Sequence, residues 1–178
     1  MKQRVTRSFP VLLLILTLGG FGPYFVGTAQ AADPKAGDWT GGAAIGFLGN
    51  TPDATAFAAN FNADVFLTSE VSIGPLLQLG ATGDLTQIGL SGQAKYWVEL
   101  SKIDKRAKLT LQAGIGFLHA DLHESDTSWL IPLGVGLDYA LTQRVGLTAT
   151  FLLNFTDIHT GRGTDAHVMP GLTFGIRF

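Results

Sequence analysis

The densest group of titratable side chains is the segment His119-Ala-Asp121-Leu-His123-Glu124-Ser125-Asp126. Its residue types suit two chemistries. His119 or His123, a hydroxyl from Ser125 or Ser128, and the Glu124 carboxylate are the makings of a base, a nucleophile and an orienting group. The candidate catalytic residues are therefore His119, His123, Glu124 and Ser125. Asp121, Glu124 and Asp126 are oxygen donors of the kind that hold hard divalent cations, and they are the candidate metal ligands. The spacing favours neither use. Four residues apart, the two histidines would share a face on a helix, but the segment follows a strand pattern and offers no third fixed ligand. The expectation is a solvated cap, with no catalytic set, no bound metal and no cofactor. Cysteine is absent, so disulfide and thiolate chemistry are excluded.

The elements that would carry this segment are strands. After a polar lead (Asp33 to Asp38), eight stretches alternate between apolar and small or polar residues at a period of two. Strand four is the plainest: Ile88, Leu90, Ala94, Tyr96, Val98 and Leu100 alternate with Gln87, Ser91, Gln93, Lys95, Trp97 and Glu99. The other apolar faces begin at Trp39, Phe57, Val71, Leu109, Trp129, Val145 and Val168. Short turns are expected at Thr68 to Glu70, Ser101 to Arg106 and Thr142-Gln143. Longer connections are expected at Gly49 to Thr55, His119 to Thr127 and Thr156 to Ala166, with a short one at Gly83-Asp84.

The first 31 residues read as a cleavable signal peptide, with Lys2, Arg4 and Arg7, an apolar core from Val11 to Leu18, and Ala29-Gln30-Ala31 as the cleavage site. Residues 32–178 are then one domain. Three of the twelve basic residues and none of the fourteen acids lie in the leader, so the remainder carries a net charge of −5. That excludes nucleic acid as a partner. No later apolar run is long enough for a spanning helix, so membrane residence would require strands closed on themselves.

The last stretch, Val168 to Phe178, places Leu172, Phe174, Ile176 and Phe178 on one face and runs to an aromatic end. Here the chain resembles the small outer-membrane β-barrel proteins of Gram-negative bacteria. The resemblance implies an all-β, eight-stranded antiparallel up-and-down transmembrane β-barrel, integral to the outer membrane, with both mature termini in the periplasm. It also implies that the barrel-assembly machinery reads Leu172, Phe174, Ile176 and Phe178. The aromatics agree with that orientation: Trp39, Tyr96, Tyr139 and Phe178 fall at one rim, and Phe47, Phe57, Phe117, Trp129 and Phe155 at the other. The lipid A deacylase barrels carry a His-x-Ser pair on a strand, which the strands read here lack, and the omptin-like proteases have ten strands.

Eight strands leave an interior that side chains fill. The inward charges are Asp64, Glu99 and Asp138 against Lys95, Lys108 and Arg177, expected to form one hydrogen-bonded lumen network. Leu48, Leu118, Leu130 and Leu152 form an inward apolar patch, read as packing, with an acyl-chain site as the other use. Pro75, Pro132 and Pro170 each remove a ladder hydrogen bond, through bulges or through a lateral opening for lipid. The expected function is a non-enzymatic barrel with a structural or interaction role. The alternatives are an enzyme modifying lipid A or phospholipid acyl chains, and a narrow ion pore. The outer connections carry Asp53, Asp84, Asp121, Glu124, Asp126, Asp157 and Asp165 against Arg162. Lipopolysaccharide, itself anionic, would then bind there through divalent cations, Ca²⁺ or Mg²⁺.

Overall fold

A chain that alternates polar and apolar residues has one face to hide per segment, and eight such segments can hide it by closing on one another. The computed structural model describes residues 34–100, 104, 106–161 and 165–178. Its strands are β1 (Trp39–Thr51), β2 (Ala54–Phe66), β3 (Val71–Ala81), β4 (Thr86–Glu99), β5 (Ala107–Asp121), β6 (Ser125–Ala140), β7 (Gly146–His159) and β8 (Asp165–Arg177). Each pairs antiparallel with its neighbours in sequence, and β8 returns to β1, giving a closed eight-stranded barrel. Closure removes the unpaired edges an open sheet would present. The signal-peptide reading of residues 1–31 and Arg162 lie outside the described residues.

The β1–β8 seam runs from Gly42 opposite Arg177 to Leu48 opposite Gly171. Two backbone bonds finish it, Gly41 N to Phe178 O at 2.8 Å and Phe178 N to Gly41 O at 2.9 Å. Gly46 permits the close approach, since a Cβ there would run into the Leu172 carbonyl oxygen. The end of the barrel that holds Pro34–Asp38 and Phe178 is called the terminal end below, and the opposite one the far end.

The wall faces outward with its apolar side. Ile115 is 71% exposed, and Leu172, Phe174, Ile176 and Phe178 all project from β8. At the far level Phe47 stands opposite Phe57, ring centroids 6.5 Å apart and edge-on, and Phe117 stands opposite Trp129. Trp39 and Phe47 bracket most of β1, a distance of about 26 Å along the strand and roughly 20 Å along a barrel axis tilted by about 40°. The apolar band of a membrane barrel is about 25 Å tall, so the span between these two rings is somewhat shorter than that band.

The connections are tighter than the polarity of the sequence indicated. The expected loop at Gly49 to Thr55 is a two-residue link, with Asn50 (φ 54°) and Ala54 (φ 61°) in the left-handed region. The expected interruption at His119 to Thr127 shrinks to residues 122–124, because β5 continues to Asp121 and β6 starts at Ser125. β7 likewise continues to His159 and β8 starts at Asp165. Ladder hydrogen bonds join backbones, so a run of polar side chains does not end a strand that has a partner. Three connections share one device: Thr68, Thr82 and Thr142 each accept, on the side-chain oxygen, the backbone N–H groups two and three residues on. This is the threonine-started turn, and the recurring Thr-x-x-Val/Leu spacing was its signal in the sequence.

Candidate functional site

The lumen is where functional side chains converge, and its terminal half is ionic. Asp64 on β2 is wholly buried and accepts from Lys95 Nζ at 2.9 Å, from Gln93 Nε2 at 3.2 Å, and from Asn62 Nδ2. Lys95 and Gln93 stand on β4, so they must reach past β3. At that level β3 contributes Gly74, opposite Gln93, which leaves their path free of a side chain. The second pair repeats the arrangement: Arg177 on β8 reaches past β7 to Asp138 on β6, with Nε at 2.7 Å and Nη2 at 3.0 Å. The residue it passes is Gly146, whose added Cβ would lie 3.0 Å from that Nη2. Such two-pronged guanidinium–carboxylate bonds fix orientation as well as charge.

Among the described residues the six inward charges are seen in pairs. They make two buried pairs, and a third pair, Lys108 Nζ to Glu99 Oε1 at 3.5 Å, sits at the rim with the Glu99 side chain 53% exposed. Above the pairs lies a neutral polar layer in which Gln78 Nε2 donates to Asn154 Oδ1 at 3.2 Å and Asn154 Nδ2 to Met169 O at 3.4 Å. Cavities of about 20 and 50 Å³ adjoin these layers. They have room for water, since about 10–15 Å³ of such space is enough to hold one molecule.

The far half carries the apolar cluster. Leu48, Leu118, Leu130 and Leu152 are all at most 8% exposed, and Met169 and Ile158 join them. Leu85, from the connection between β3 and β4, is fully buried against the same group. Met169 counts here as an inward core residue, although its neighbours on β8 had placed it among the small and polar alternates.

At the far rim the candidate residues point apart. His119 faces outward and its Nδ1 lies 2.8 Å from Thr127 Oγ1, not from a serine. Ser125 opens β6 opposite Asp121, His123 is exposed in the turn, and the Glu124 backbone N–H donates to Thr160 O at 3.2 Å. His123-Glu124-Ser125 does have the His-x-Ser spacing, but across a turn rather than along a strand. Asp126 accepts from the backbone N–H groups of Thr127 and His159 at 2.7 and 2.8 Å, which occupies both its oxygens. Asp157 lies 3.0 Å from His167 Nδ1 and 3.9 Å from His159 Nε2, a surface grouping absent from the sequence candidates. Among the described residues no three such donors surround a common point for a metal ion.

No protein-family model matches the chain, and no curated protein sequence matches it either. Solved structures do. Neisserial surface protein A (NspA) is 21% identical, with 78% of this chain and 94% of that one covered and a TM-score of 0.58. The N-terminal β-barrel domain of Pseudomonas aeruginosa OprF is 15% identical, covering 80% of this chain and 98% of that one, with a TM-score of 0.53. The fold is that of the eight-stranded outer-membrane barrels.

In this outer-membrane barrel fold the prolines coincide with gaps in pairing. The β2–β3 ladder skips Ala63 and Asp64 opposite Pro75 and Gly74, and the β5–β6 ladder skips Gly114 and Ile115 opposite Pro132 and Ile131. Pro170 sits just beyond the last β1–β8 pair, where Asn50 Nδ2 donates to Val168 O at 2.7 Å. A missing N–H explains each gap. One lumen feature escaped the sequence reading: at the terminal end Trp97 Nε1 donates to Ser72 Oγ at 2.9 Å, and its ring lies 5.5 Å from that of Phe66. The alternation marked Trp97 as inward, but nothing in the sequence paired it across β3 with Phe66.

Proposed function

We propose that the protein is a non-enzymatic integral barrel of the outer membrane, exported by its first 31 residues, with a side-chain-filled lumen and a structural or interaction role. The observation that carries this is the pairing of a continuous outward apolar belt with an interior occupied by the Asp64–Lys95 and Asp138–Arg177 pairs, the Gln78–Asn154 contact and the apolar cluster beyond them. A wall of that kind needs hydrocarbon outside it, and an interior of that kind neither conducts solute nor takes an acyl chain. The terminal end then lies in the periplasm, and Asp53, Asp84, Asp121, Glu124, Asp126, Asp157 and Asp165 meet lipopolysaccharide through bridging Ca²⁺ or Mg²⁺. Leu172, Phe174, Ile176 and Phe178 serve as the signal to the barrel-assembly machinery.

Two measurements test this reading. Purified protein reconstituted in a planar bilayer is expected to leave conductance at the leak level, and lipid A from cells with and without the protein is expected to have the same mass spectrum. Stepwise single-channel currents, or an altered lipid A acyl pattern lost on substituting His119 and His123, would overturn it. Protein that stays monomeric in buffer without detergent would remove the membrane altogether.

A further inference from the structure

The terminal end carries a basin of about 380 Å³ whose floor includes the buried Trp97 and Phe66. Its lining is unequal in charge: Arg106, Lys108, Arg144 and Arg177 against Asp38 and Asp138. Two of the cations are already engaged, Arg177 by Asp138 and Lys108 by Glu99. The Asp38 carboxylate accepts from the Lys35 backbone N–H at 2.8 Å. Arg106 and Arg144 remain. Both are exposed, and neither guanidinium has an ion-pair or hydrogen-bond partner among the described residues. Two free planar five-donor groups at the edge of one concavity are an arrangement suited to an oxyanion, phosphate above all.

The same basin reaches the wall. Trp39 and Phe178 line it, yet they also project outward, 74% and 60% exposed. An exposed tryptophan at the end of an apolar belt sits at headgroup level. A phosphate in the basin can therefore belong to a molecule whose chains lie along the wall beside Phe178 and Ile176, which a free ion would not need.

We propose that this basin binds the phosphate of an anionic phospholipid, phosphatidylglycerol being the simplest case, from the leaflet that faces the terminal end. Arg106 and Arg144 hold the phosphate and Trp39 and Phe178 flank the first acyl segments. The proposal rests on the membrane reading above, and its failure is distinguishable: protein soluble without detergent removes that reading, whereas the lipid competition below removes only this one.

The test is native mass spectrometry of the detergent-solubilised protein offered equal amounts of phosphatidylglycerol and phosphatidylcholine. One cation near an anionic lipid is worth roughly fivefold in affinity, so two give a preference of about twenty-five-fold for phosphatidylglycerol. R106A/R144A is expected to bring the ratio close to one, while Lys35→Ala, outside the basin lining, leaves it unchanged. Both arginines sit in turns with exposed side chains, and heat-modified mobility on gels verifies that the variant is folded. Equal retention of the two lipids by the unmodified protein, or an undiminished preference in folded R106A/R144A, would overturn the proposal. So would displacement of the lipid by inorganic phosphate at equal concentration, which would make the basin a site for free phosphate.

Discussion

Toward the terminal end the lumen is held by charge, Asp64 to Lys95 and Asp138 to Arg177, whereas toward the far end Leu118, Leu130, Ile158 and Met169 pack together beside uncharged polar side chains such as Gln78 and Asn154. Both halves lie inside one wall with one kind of outer coat, so the outer coat does not decide what fills the barrel. The difference lies in what each filling demands. A buried ion pair tolerates few geometries and is costly when broken, while an apolar plug tolerates many and is costly only when a void is left. The ionic half borders the open basin, where Arg177 keeps 21% of its side chain exposed, and partial hydration lowers the cost of burying it.

If that contrast holds, the largest effect belongs to the ionic half. Asp64→Ala leaves Lys95 buried without its counter-charge and is expected to lower the unfolding free energy by about 3–5 kcal/mol in urea titrations of reconstituted protein. D64A/K95M removes both charges and should recover much of that loss. A double variant as unstable as the single would mean that the pair is not the organising contact. Next comes the plug: Leu130→Ala, at a position 1% exposed, is expected to cost about 2–5 kcal/mol, and here no second substitution of charge should rescue it. Trp97→Phe keeps the ring against Phe66 and loses the bond to Ser72, for an expected loss of about 0.5–1.5 kcal/mol. The smallest change should come from the wall, where Ile115→Leu exchanges one lipid contact for another and is expected to stay within about 0.5 kcal/mol. A large effect there would mean that Ile115 packs against protein.

Much of this could be read from residue order. The outward faces of all eight strands, the inward charges and the inward leucines follow from a period of two once one residue per strand is assigned. Other parts were hidden for identifiable reasons. His119-Ala-Asp121 and Ser125-Asp126-Thr127 look like loop, yet each continues a strand, because the other supplies the backbone partner. Leu85 follows the expected short connection at Gly83-Asp84 and was assigned to no strand face, and the Thr82 turn brings it over the lumen. The candidate catalytic and metal residues shared a segment, but the structure spreads them over the end of β5, the turn at 122–124 and the start of β6, and His119 and Asp126 find partners outside the set.

By itself the sequence determined which side of each strand faces outward and which faces inward, because alternation is a local property of neighbouring residues. It also determined that some inward charges must find partners, since none could stay buried alone. Which partners, only the tertiary structure decided. Asp64 meets Lys95 and Asp138 meets Arg177 across an intervening strand, and those meetings depend on the stagger of a closed sheet and on the side-chain gaps at Gly74 and Gly146. The two free arginines and two rim aromatics of the terminal basin lie on β1, β8 and two different turns, so closure alone brings them together.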